Sequence, residues 1–132
     1  MAFRITFYTD SNGYSPTLEF LADLAKKAAS DKHAKILLNS FYRKLEILRQ
    51  TGTLAGMPTF KFLKGYKYPL WELRIRHRSG SHRLLFYYDN SSAEYIILNH
   101  FVKKKDKTPR AEIERAIRML EDFMSRRGGA KG

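Results

Sequence analysis

The sequence predicts an α+β domain of order β-α-α-β-β-β-α, an antiparallel sheet packed on a helix hairpin with a C-terminal helix. Three observations predict it. Two adjoining stretches before residue 52 carry apolar residues at helical spacing. Three stretches alternate with period two, and a fourth, Glu94 to Val102, is a short apolar run. A last apolar stripe of helical spacing follows Thr108-Pro109. The 132 residues suit a single domain over 1–125, with 126–132 expected as a flexible basic tail.

Phe3, Ile5 and Phe7 alternate with Arg4, Thr6 and Tyr8, which makes a strand with one apolar face. Asp10-Ser11-Asn12-Gly13 is turn chemistry. Ser15-Pro16 supplies a hydroxyl cap and a first-turn proline, and Leu18, Leu21, Leu24, Ala25 and Ala28 follow on one helical face. Asp31 caps a second helix with the stripe Leu37, Phe41, Leu45, Leu48, ended by Gly52. The few residues between the two helices imply an antiparallel hairpin. Thr51 to Pro58 reads as a loop, and Phe60 to Tyr68 as either a half-buried strand or a loop.

Leu70 to Arg76 puts Trp71, Leu73 and Ile75 on one face, and Glu72, Arg74 and Arg76 on the other. A turn at Ser79-Gly80 returns the chain through Ser81 to Tyr88, so that Arg83 falls across from the Arg74 and Arg76 region. Glu94 to Val102 is a third strand, central and buried, ending in three lysines. Ile113, Ala116, Ile117, Leu120 and Phe123 form the stripe of the last helix, and Glu112 and Glu114 near its start complement the helix dipole.

Composition narrows the function. Lys plus Arg number 25 against 13 Asp plus Glu, a net charge of +12. Residues 1–60 hold 8 basic and 5 acidic residues, net +3, whereas residues 61–132 hold 17 and 8, net +9. A regional excess of this size points to a polyanion, most simply nucleic acid. The absence of cysteine fits a reducing, cytoplasmic setting, and no leader or membrane span is expected. His77, His82 and His100 have no carboxylate cluster or HExxH spacing around them, so neither a metal nor another cofactor is expected.

Arg74, Arg76 and Arg83 on adjacent strands, with the lysine cluster nearby, would make a concentrated phosphate site. RNA brings its own nucleophile, the 2′-hydroxyl. Attack on the adjacent phosphorus leaves a 2′,3′-cyclic phosphate and a 5′-hydroxyl, and fixed cations stabilise the charge that grows on the phosphate oxygens. His77, His100 and Tyr87 are the candidates for proton transfer. Lys61, Lys64 and Lys67, interleaved with aromatic residues, and Lys103, Lys105 and Lys107 are candidates for holding RNA.

The Glu72-Leu73-Arg74 step, the His82 to Tyr87 run around Arg83, and His100 to Pro109 with Glu112, Ile113 and Ala116 resemble the RelE/HigB toxins of type II toxin–antitoxin systems, phage-derived branch. Phe20-Leu21 and the helix ending at Gly52 join the resemblance. It implies a RelE-like fold and an mRNA interferase, a metal-independent endoribonuclease acting in the ribosomal A site and inhibiting translation. It implies that Arg74, Arg76, Arg83 and Lys104, with Lys103 beside it, hold the scissile phosphate. It also implies a helix-turn-helix, HigA-like antitoxin as partner. The better-known member has a tyrosine near the terminal helix as proton acceptor; here that region reads Lys107-Thr108-Pro109-Arg110. Two other readings of the same features are a ParE-like inhibitor of DNA gyrase and a non-catalytic RNA- or ribosome-binding module.

Overall fold

A computed structural model describes residues 2–104 and 108–129. The elements are β1 (Arg4–Phe7), α1 (Pro16–Ala28), α2 (Lys32–Thr51), β2 (Phe60–Leu63), β3 (Leu70–His77), β4 (Gly80–Asp89), β5 (Glu94–Lys103) and α3 (Arg110–Gly129). Both predicted caps are made. Ser15 Oγ accepts the Leu18 amide at 3.2 Å, and Asp31 accepts the amides of His33 and Ala34 at 2.9 and 3.4 Å. Each satisfies a donor the first helical turn leaves unpaired.

The five strands lie in the order β1-β5-β4-β3-β2. The α+β order is as expected, with two additions. The short β2 pairs with β3, and β1 runs parallel to β5, so the sheet is mixed. The helix hairpin covers one face: Leu21, Leu24, Phe41, Leu45 and Leu48 pack on Leu73, Ile75, Leu84, Phe86 and Ile97. Across the sheet, Ile113, Ala116, Met119 and Leu120 of α3 pack on Leu70, Leu85, Ile96, Leu98 and Phe101. Sheet residues further along β3, β4 and β5 on that second face are polar: Glu72, Arg74, Arg76, Arg83 and Lys103.

The basic tail was expected to begin at residue 126; instead α3 continues to Gly129. Arg126 bonds Asp122 one turn back, at 2.9 Å, and reaches the Thr9 carbonyl. Arg127 binds the buried Glu94 at 2.7 Å. Tertiary partners hold this turn, and composition alone does not reveal them. Among the described residues, no helix is long and apolar enough to cross a membrane.

Candidate active site

The β3–β4 hairpin turns through Arg78 and Ser79, so His77 faces Gly80 and Arg74 faces Arg83. Gly80, at φ +138°, lies where an added Cβ would sit 2.7 Å from Val102 Cγ1, so the turn requires glycine. Directly opposed like charges destabilise a sheet. Glu72 offsets this pair. Its carboxylate is fully buried, with Oε1 3.2 Å from Arg83 Nε and 3.6 Å from Arg74 Nε. The Thr108 hydroxyl donates to Oε2 at 2.6 Å and so ties the approach to α3 to the same group.

The compensation is incomplete. Glu72 Oε1 and Arg83 Nε are close but misaligned, and neither has a hydrogen-bond partner. Lys103 adds a third cation and is only 8% exposed. Burial pushes its ammonium pKa down; Glu72 opposes this, and the charges of Arg83, Arg74 and Lys61 reinforce it. Burial likewise lowers Arg83, again against the pull of Glu72. One carboxylate therefore serves three cations, and an anion placed here would relieve their mutual repulsion.

Arg83 points away from the helix hairpin, as expected, but it is not a free side chain: it is 3% exposed. The exposed member is Arg76, two residues beyond Arg74. Just before β2 begins, the Arg74 amide makes a last bond to the Thr59 carbonyl at 2.8 Å. Past that point a groove of about 480 Å³ opens, lined by Arg74, Arg76, Arg83, Pro58 and Thr59, with Ser40, Arg43 and Lys44 of α2 as the facing wall. Arg43 and Lys44 escaped the sequence reading. Their signal is their place one and two residues before Leu45, on the flank of the α2 core stripe.

Lys103 and Lys104 exchange the positions that the resemblance implied. Lys103 faces the arginines, and Lys104 is exposed just past the strand. The reason is a β-bulge. Leu85 pairs with Asn99 and Phe86 with Ile97, leaving Leu98 extra. One inserted residue reverses the alternation downstream. Phe101 and Lys103 consequently join Leu98 on the α3 side, and His100 turns to the hairpin side.

The proton-transfer candidates lie elsewhere. His100 stacks on Phe20 at 3.6 Å between ring centres, and burial lowers its pKa to about 4. It bonds His82 at 2.9 Å; His82 bonds Ser79 Oγ at 2.9 Å; Ser79 Oγ bonds His77 at 2.7 Å; and His77 Nε2 meets the His33 carbonyl at 3.0 Å. A carbonyl only accepts, so His77 Nε2 carries its proton and Nδ1 accepts from Ser79. Each link then has a fixed direction back to His100, whose Nε2 donates. This chain fastens the hairpin tip to α2 on the face opposite the arginines. Tyr87, four residues beyond Arg83 on β4, lies beside Asp89 and Phe123 under α3, and burial raises its pKa.

Of the lysines expected to hold RNA, Lys61 stands across from Glu72 and Lys64 follows β2; both are exposed. Lys67 is held by Glu121 at 2.5 Å. Lys105 and Lys107 lie outside the described residues. Among the described residues, no group of three or more His, Asp or Glu side chains is arranged to hold a metal ion.

A five-stranded sheet with a helix pair on one face, a single helix on part of the other and an arginine-rich end uncovered by that helix is a RelE-like α+β architecture. The family described as phage derived protein Gp49-like (DUF891) matches residues 27–121, from the end of α1 into α3, and the chain belongs to it. It is a toxin-like family of toxin–antitoxin systems. No curated protein matches the chain.

Proposed function

We propose that the protein is the toxin of a type II toxin–antitoxin system and acts as a metal-independent endoribonuclease on mRNA at the ribosome, in the cytoplasm, restrained by a helix-turn-helix antitoxin. One observation carries the reading: Arg74, Arg83 and Lys103 surround a single buried carboxylate, with Arg76 exposed beside them. Such a set holds an anion and stabilises charge growing on phosphate oxygens. In this reading Arg74, Arg76 and Arg83 grip the scissile phosphate while the 2′-hydroxyl attacks phosphorus. The 2′-hydroxyl gives up its proton to solvent water as it attacks, the bond to the 5′-oxygen breaks, and a proton must reach that oxygen. Lys103 stands beside the arginines and its ammonium holds its proton less tightly than usual, so it is the side chain best placed to supply it. Arg43, Lys44 and the exposed Lys61, Lys64 and Lys104 would track the flanking backbone.

The test is mapping of new RNA ends after incubation with translating ribosomes and, separately, with naked RNA. The Arg76→Ala variant is the control, because that exposed side chain can be removed without disturbing the fold. Ends bearing 2′,3′-cyclic phosphate, reduced about 10²- to 10³-fold by Arg76→Ala, are expected. No new ends on either substrate would overturn the reading, and inhibition of gyrase supercoiling would then be assayed.

A further inference from the structure

A second depression adjoins the arginine site and has a different chemistry. It has a volume of about 590 Å³ and is lined by Lys61, Phe62, Leu63, Lys64, Tyr66, Thr108 and Ile113. Its floor is apolar: Leu63 is 7% and Ile113 1% exposed. Its rim carries the Tyr66 ring, 41% exposed, and two ammonium groups. Among the described residues, no acidic side chain lines it.

The two sites share a wall. Thr108 lines the depression and donates its hydroxyl proton to Glu72, which contacts Arg83 and Arg74. Lys61 stands one strand from Glu72, about 4.8 Å away in the sheet. A flat, aromatic ligand that enters the depression can therefore have a phosphate attached to it at the arginines. The hydroxyl of Thr108, already spent as a donor, presents lone pairs to the depression and would accept from an amino or ring N–H group.

We infer that this depression is a nucleobase subsite, which seats the base next to the scissile phosphate against Leu63, Ile113 and Tyr66 and gives cleavage a base preference. The inference rests on the endoribonuclease reading for its biological meaning but not for its test. Base stacking on an aromatic side chain contributes about 1–3 kcal/mol. A nucleotide should accordingly bind about tenfold more tightly than the same phosphate without a base.

The experiment is methyl and guanidinium NMR of the full chain, titrated in turn with adenosine 5′-monophosphate, adenosine and ribose 5-phosphate. The nucleotide and adenosine should move the Leu63 and Ile113 methyl signals, and ribose 5-phosphate should move only the Arg83 and Arg74 Nε signals. Tyr66→Ala should reduce nucleotide affinity to that of ribose 5-phosphate and leave the latter unchanged; Tyr66→Phe should keep the tenfold advantage. Methyl signals unmoved by the nucleotide, or a Tyr66→Ala variant with its advantage intact, would overturn the subsite. Failure of the phosphate grip would show separately, as arginine signals that respond to neither phosphate.

Discussion

Glu72 and Glu94 are both buried carboxylates on this sheet, and their surroundings differ. Glu94 is fully answered. Arg127 binds both its oxygens, at 2.7 and 3.2 Å; Thr6 and Ser92 donate to it, and Arg4 lies at 3.3 Å. Its pKa falls to about 2, chiefly through Arg127. Both of its arginines reach solvent, so their remaining donors can be hydrated. Glu72 is shared among the buried Arg83 and Lys103 and the half-buried Arg74, with Oε1 and Arg83 Nε left without hydrogen bonds. A network that only ties the C-terminal helix to the sheet edge can be closed. A network that keeps positive charge in excess and donors unspent, at some expense in stability, is one that could receive a phosphate, as the proposed function requires.

The strongest way to break this comparison is at Arg83. Arg83→Ala leaves Glu72 as a buried carboxylate short of a partner, and truncating one member of such a pair costs about 3–5 kcal/mol. A large fall in the denaturant midpoint is expected. Replacing both members, with Glu72→Leu and Arg83→Met, should recover part of that loss, because the carboxylate and the guanidinium then leave together, while the buried Lys103, deprived of Glu72, limits the recovery. Cleavage should stay absent in the double variant. If stability does not return, Glu72 and Arg83 are not the coupled pair described.

A smaller effect separates the two faces by acid titration. His100 titrates near 6.5 when unfolded and near 4 when folded, so the unfolded chain binds the proton first. The stability contribution is therefore complete above pH 6.5 and is lost as pH falls toward 4. At about 1.36 kcal/mol per pH unit this is roughly 3 kcal/mol, and His82, lowered by burial, shifts in the same direction. Glu94, lowered from 4.5 to about 2, contributes stability above pH 4.5 that is lost as pH falls through 2. Two successive losses are expected in thermal melts between pH 7 and 2. His100→Phe should remove most of the first and Glu94→Gln the second. A single loss that His100→Phe leaves unchanged would contradict the burial of the histidine chain.

Much of this arrangement is legible in local sequence. The alternation of Leu70 to Arg76 and a turn near Ser79-Gly80 suffice to bring Arg83 across from the Arg74 and Arg76 region; the turn lies one residue earlier, at Arg78-Ser79, and that selects Arg74. The Ser15 and Asp31 caps announce the hairpin that covers the other face. What escapes is whatever depends on one extra residue or on distant partners. The bulge at Leu98 decides that Lys103 and not Lys104 meets the arginines, and that His100 faces Phe20. Nothing in Ile96 to Leu98 marks it, since each of these apolar residues suits either face. The burial of Arg83, the parallel β1–β5 pair and the reach of α3 to Gly129 likewise arise from contacts between segments far apart in the chain.

The same distinction between spent and unspent groups applies to the surface lysines, with the smallest effects. Lys67 and Lys64 are three residues apart and look equivalent in the sequence. Lys67 already has Glu121 at 2.5 Å, which raises its pKa. Binding a phosphate there would require breaking that pair, so little net attraction is gained. Lys64 lines the depression beside Tyr66. Removing a lysine that contacts a phosphate lowers the slope of log affinity against log salt by about one. In salt titrations of a short single-stranded RNA, Lys64→Ala should lower that slope by about one and Lys67→Ala by far less. Equal losses would mean that pairing with Glu121 does not withdraw a cation from the surface. The contrast between closed and open ionic networks would then hold only for the buried interior.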